Sequence, residues 1–144
     1  MFGKKDMVER AIEKDVAVSE KMARRIDLYA DIYENKAPWI NENVRSTGIA
    51  ASVAQEFARL VTIEFESEIT GNTFLNQEYQ TFLKDLRRNI EYAAAKGGIA
   101  FKPYLSDGHI EVDVVQAVGF FPFKFKSRNE VLAAALPEEI VQGK

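Results

Sequence analysis

The sequence predicts an α+β fold, with N-terminal helices followed by a small antiparallel sheet packed on a long helix. Three observations predict it. Over most of the chain up to Lys96, apolar residues recur at spacings of three and four; beyond Gly98 they alternate at a spacing of two; and the pair Gly97-Gly98 stands where the period changes. At 144 residues the chain is the length of one domain, 1–144, expected to bury roughly 70% of its unfolded surface on folding.

From Asp6 to about Glu34 the pattern is helical, with a break near Asp15 to Ser19, where Ser19 caps a second helix. Met22, Ile26, Tyr29 and Tyr33 form its apolar stripe. Ala37-Pro38-Trp39 stops it, because the residue before a proline is pushed out of the α region. Asn41 to Gly48 is polar and turn-like, and Ser46 or Thr47 caps a helix whose stripe is Ile49, Val53, Phe57, Leu60 and Val61. Thr62 to Ile69 then alternates, with Ile63, Phe65 and Ile69 on one side and Glu64, Glu66 and Glu68 on the other. That predicts a half-buried strand, with a continued helix as the rival reading. After a turn at Thr70 to Thr73, one long helix sets Leu75, Tyr79, Phe82, Leu86 and Ile90 on one face to Ala93 or Ala94. Gly97 sits just past its end, and Lys96 lies in the last turn, where a cation complements the helix dipole.

The remaining segments read as strands: Ile99 to Tyr104 and Ile110 to Val115 about an Asp107-Gly108 turn, Gly119 to Lys126, and Val131 to Val141, irregular at Pro137. The stretch GFFPFKFKS, Gly119 to Ser127, turns Phe121, Phe123 and Phe125 one way and Pro122, Lys124 and Lys126 the other. Three strands share one apolar face, and Pro103 and Pro122 belong at edges, so Ile110 to Val115 is expected as the central strand. The phenylalanines are expected mostly in the core, under the Thr73 to Lys96 helix. The last strand has no following segment to cover it, so either a partner completes the sheet or the chain is the front part of a longer one.

Composition removes several kinds of chemistry. The absence of cysteine removes disulfides and thiolate sites, and the formal charge of -3 argues against a polybasic binder. The first residues lack the apolar stretch of a secretory signal, and no apolar run approaches the ~18 residues of a spanning helix, so the chain reads as soluble and intracellular. His109, the single histidine, follows a turn with no advertised nucleophile or orienting acid, and reads as a solvated turn residue. Gly97-Gly98 ends a helix instead of opening one, which excludes a phosphate loop. Glu64, Glu66 and Glu68 would have to gather ligands from other elements to hold a hard cation and read as a solvated acidic face. Lys84, Arg87 and Arg88 read as an ordinary helix face, and the acids Glu9, Glu13 and Asp15 count against membrane contact by the N-terminal turn. No catalytic, cofactor-binding or metal-binding residue is assigned.

Several phrases in order resemble the N-terminal wing region of portal proteins of long-tailed, siphovirus-type bacteriophages. They are KAPWINENVRS (Lys36 to Ser46), ASVAQEFARLVTIEFESEITG (Ala51 to Gly71), FLNQEYQTFLKDLRRNIEYAAAKGGIAFKPY (Phe74 to Tyr104) and IEVDVVQAVGFFPFKF (Ile110 to Phe125), with LPEEIVQGK (Leu136 to Lys144) resembling the strand before a further hairpin. The resemblance implies a non-enzymatic, structural subunit of a ring, dodecameric in the family, at one capsid vertex in the virion, assembled in the bacterial host cytoplasm. Its implied partners are other portal subunits, capsid and scaffolding proteins and, for a full-length subunit, the packaging terminase and the head-tail adaptor. Double-stranded DNA would pass through the channel without sequence readout. The rival reading is a small interaction or nucleic-acid-binding module that uses the Phe121 to Phe125 strand and Lys124 and Lys126 as a stacking platform.

Overall fold

A computed structural model describes residues 4–127 and 130–137. Five helices precede four strands: α1 (Lys4–Ile12), α2 (Glu20–Tyr33), α3 (Ile49–Thr62), α4 (Thr73–Leu83), α5 (Leu86–Lys96), then β1 (Ile99–Ser106), β2 (His109–Gln116), β3 (Phe121–Ser127) and β4 (Glu130–Ala135). The α+β class and the order of helices before strands are as the sequence predicts. The strands form two separate antiparallel pairs, β1 with β2 and β3 with β4, not one sheet centred on β2.

Local chemistry explains most boundaries. Ser19 caps α2 by accepting the Met22 N–H at 3.2 Å, as predicted. That helix ends at Tyr33, before Pro38, where Asn35 takes a positive φ of 58°. In 41–44 the Asn41 side chain accepts the N–H groups of Asn43 and Val44 and closes a polar turn. Gly48, not Ser46 or Thr47, caps α3, with φ 69°. The Asp107-Gly108 turn has both residues at positive φ, 49° and 83°, the signature of a two-residue hairpin. Gly97, at φ 90°, ends α5 and returns its N–H to the Ala93 carbonyl.

Three expectations are corrected. The segment after α3 is not a strand; α4 side chains take the bonds a strand would give to a neighbour. Asn76 accepts the Ile69 N–H (2.9 Å), Gln80 donates to the Ser67 carbonyl (2.7 Å) and the Tyr79 hydroxyl donates to Ser67 Oγ (2.9 Å). Nor is the region 73–96 one helix: at Lys84 and Asp85 it tightens to bonds three residues back, and Arg88 pairs with the Asp85 carboxylate at the start of α5. Both helices touch β2, and α5 also packs on α3.

The third correction concerns the phenylalanines. Phe121 is buried, but against Val8, Val16 and Val18 of the N-terminal segment and not under α5. The Ala17 N–H donates to the Pro122 carbonyl at 2.8 Å, so residues 16–18 occupy the place beside β3 where β2 was expected. Phe123 is partly buried with Lys14 above its ring, and Phe125 is 42% exposed. The β1–β2 hairpin does pack on α4, where Phe82 meets Phe101 edge-on at 4.9 Å. The predicted extension of β4 to Val141 lies outside the described residues beyond 137.

Candidate interaction surface

The most constrained polar cluster forms where α2, α5 and β2 converge. Lys96, in the last turn of α5, is 5% exposed. Its Nζ donates to Glu34 Oε1 at 3.0 Å and to Gln116 Oε1 at 2.9 Å, and lies over the Tyr33 and Tyr92 rings at 5.3 and 5.4 Å. The Tyr33 hydroxyl donates to Glu91 Oε1 at 2.6 Å, and burial, with the Glu91 carboxylate second, pushes the phenol above its ordinary range. The Glu34 carboxyl is held below its ordinary value by its hydrogen bonds from Lys36 and then Lys96. Among the described residues no buried side-chain N or O atom lacks a hydrogen-bond partner, and the cluster joins α2, α5 and β2. Nothing in the sequence signalled it, because its members lie up to 83 positions apart.

A second polar clamp joins α4 to the hairpin. Glu78 accepts the Ile110 N–H at 2.9 Å and faces His109 Nδ1 at 3.2 Å. The Ile110 N–H, followed by His109, holds the Glu78 carboxyl below its ordinary value. His109 is exposed, as expected of a turn residue, and it has an acid neighbour that the sequence did not reveal. Beside this clamp an open cleft of about 380 Å³ separates β2 from α4 and α5, with Asn89 buried on its floor.

The largest departure from the expected packing is on α3. Its inward residues are the small ones: Ala58 is 0% exposed and Ala54 is buried, letting the backbone approach α5 closely. The predicted core stripe points out, from Ile49 (64% exposed) through Val53 and Phe57 (51%) to Leu60 and Val61, and Ile63 and Phe65 continue it. Beside it lies an open groove of about 640 Å³ with Tyr29, Ile32, Val53, Phe57 and Ala94 in its walls. Contiguous exposed apolar side chains of this kind are a feature of interaction sites.

The remaining sequence candidates fall elsewhere. Glu64, Glu66 and Glu68 are exposed, and among the described residues no three acidic or histidine side chains gather as metal ligands would. Lys84 and Arg87 line a groove with Glu66 and Glu68, while Arg88 is paired with Asp85. Lys126 pairs with Glu130 at 3.2 Å across the β3–β4 turn. No helix is long and apolar enough among the described residues to cross a membrane.

No protein-family model, no curated protein and no solved structure matches the chain.

Proposed function

We propose that this chain is the wing-region part of a portal-ring subunit, a structural element of a phage head-tail vertex and not a catalyst. Two things support the reading: the ordered phrases from Lys36 to Phe125, and an apolar α3 face suited to a neighbouring protein. The α3 face carries the argument, because an isolated domain gains by burying Phe57 and Leu60, whereas a subunit needs them on its surface. The net charge of -3 suits a wall past which DNA slides better than a phosphate-gripping surface. Partners are then other copies in a dodecameric ring, capsid and scaffolding proteins, and, through a full-length subunit, the terminase and the adaptor.

The test is sedimentation and negative-stain microscopy of the purified chain beside Phe57→Asp. Arcs or rings from the natural sequence, lost in the variant, support the reading; a chain that stays monomeric at millimolar concentration overturns it. The stacking-platform alternative has the exposed Phe125 beside Lys124 and Lys126 in its favour and the buried Phe121 against it. Saturable binding of a single-stranded oligonucleotide, abolished by Phe125→Ala, would favour that alternative.

A further inference from the structure

The two outer edges of the β1–β2 hairpin are unequal. Ser106 and His109 flank its two-residue turn as a hydrogen-bonded pair, so odd-numbered residues of β2 aim their backbone groups at β1 and even-numbered residues aim theirs away. On the β1 side Pro103 stands where an outward N–H would be, and proline closes that edge to strand addition. The outward edge of β2 is different. Its first N–H, of Ile110, is taken by Glu78 Oε2 at 2.9 Å, a carboxylate standing where the carbonyl of a neighbouring strand would stand. Beyond it the N–H groups of Val112 and Val114 turn toward the cleft of about 380 Å³ between β2 and the helices, and among the described residues no strand pairs with them.

The helix side of the cleft supplies a second, independent observation. Asn89 of α5 is 4% exposed, yet among the described residues its side-chain amide has no hydrogen-bond partner. Because no enclosed side-chain N or O atom there lacks a partner, the amide keeps its remaining surface open to the cleft that Asn89 lines. A buried amide without a partner costs stability, and beside vacant strand N–H groups its donor and acceptor are the complement of a peptide main chain. Charge narrows the class. Glu78, Asp85 and Glu111 line the cleft against one guanidinium, that of Arg88, which Asp85 already holds. Glu111 has no cation partner among the described residues, whereas Asp113, on the same solvent face, has Lys102 at 3.3 Å.

We propose that the cleft takes an extended peptide segment of another protein in which apolar and basic residues alternate. It adds to β2 as a third strand, bonding the Val112 and Val114 N–H groups, with apolar side chains toward α4 and α5, a cation beside Glu111 and its main chain within reach of Asn89. The occupant is not a strand of this chain, because the described segments of that alternation are engaged. Phe101-Lys102 lies in β1, while β3 pairs with β4, is bonded through Pro122 to Ala17 and has Phe123 packed on the N-terminal valines. The inference goes beyond the portal reading, which names no peptide site.

The probe is a capped heptapeptide of alternating valine and lysine, titrated into the whole isotope-labelled chain and followed by NMR and amide hydrogen exchange. Expected is saturable binding with slowed exchange at Val112 and Val114, and binding roughly 2- to 5-fold weaker for the valine-glutamate counterpart. Glu111→Lys, an exposed change, should erase that preference. Asn89→Leu removes an unpartnered buried amide, so it should melt no lower than the natural chain and bind the peptide roughly 3- to 10-fold more weakly. No saturation by about 1 mM peptide, or saturation that leaves Val112 and Val114 exchanging as before, overturns the proposal. So does protection of those amides that grows with protein concentration in the absence of peptide, which makes a second copy the occupant. An Asn89→Leu chain that melts lower and binds peptide unchanged assigns Asn89 to the fold and overturns the site. Should that variant fail to fold, the Glu111→Lys arm decides alone, and an unchanged preference for the basic peptide overturns the proposal.

Discussion

Lys96 shows how one buried cation can tie three segments together. Its ammonium is held by Glu34 and Gln116 and covered by two tyrosine rings, yet Glu34 keeps a solvent-facing side, so removing the lysine does not strand a fully buried carboxylate. Lys96→Ala is therefore expected to destabilise by about 2 kcal/mol, and Lys96→Met by less because its stem still packs; urea denaturation of both checks the order. Acid should loosen the same junctions. The carboxyls of Glu9, Glu34 and Glu78 are depressed by the Val16 N–H, by Lys36 and by the Ile110 N–H respectively. Groups depressed on folding contribute above their unfolded values near 4.5 and lose that contribution as pH falls through the lower folded values. Melting temperature is expected to be flat from pH 7 to 5 in respect of these groups and to fall below about pH 4.5, with a shallower fall in Glu78→Gln.

At the scale of elements, α3 and the hairpin make opposite demands. The α3–α5 contact depends on smallness, so Ala58→Leu is expected to cost roughly 1–3 kcal/mol by forcing the helices apart. Phe57→Asp, one residue earlier on the outer face, should leave monomer stability within about 0.5 kcal/mol and act on association alone. Thermal unfolding and sedimentation on the same two variants separate these roles. The hairpin depends on backbone sign: Gly108 at φ 83° has open space for a Cβ, so the strain of Gly108→Val is purely conformational. A loss of about 1–2 kcal/mol is expected, read as faster amide exchange in β1 and β2.

Among the described residues, apolar burial is found at two separate places. One is Phe121 with Val8, Val16 and Val18; the other is the α3–α5 contact with the hairpin laid on α4. Among the described residues no large side chain is fully buried, so neither cluster has much stability in reserve. Phe121→Ala is expected to cost about 3 kcal/mol and to release α1, β3 and β4 before the α3–α5–hairpin unit, visible as two exchange classes. Equal acceleration of exchange everywhere would mean that the two clusters unfold as one.

The sequence by itself determined the class, the start of α2, the stop of α5 and the hairpin turn, because these follow from local rules. A serine ahead of α2, a glycine after α5 and an Asp-Gly pair act within a few residues of themselves. What a stripe packs against was not legible. Both the large and the small faces of α3 repeat with helical period, and only the alanines opposite, on α5, decide which faces inward. Alternation in 62–69 marked an extended segment, but a strand needs a partner ladder, and α4 side chains met that need first. Likewise β3 alternates as a strand should, and its neighbour was fixed by Ala17 and the N-terminal valines, more than 100 positions away. Tertiary structure alone chose those partners, because burial and hydrogen bonding reward proximity in space, which separation along the chain does not encode.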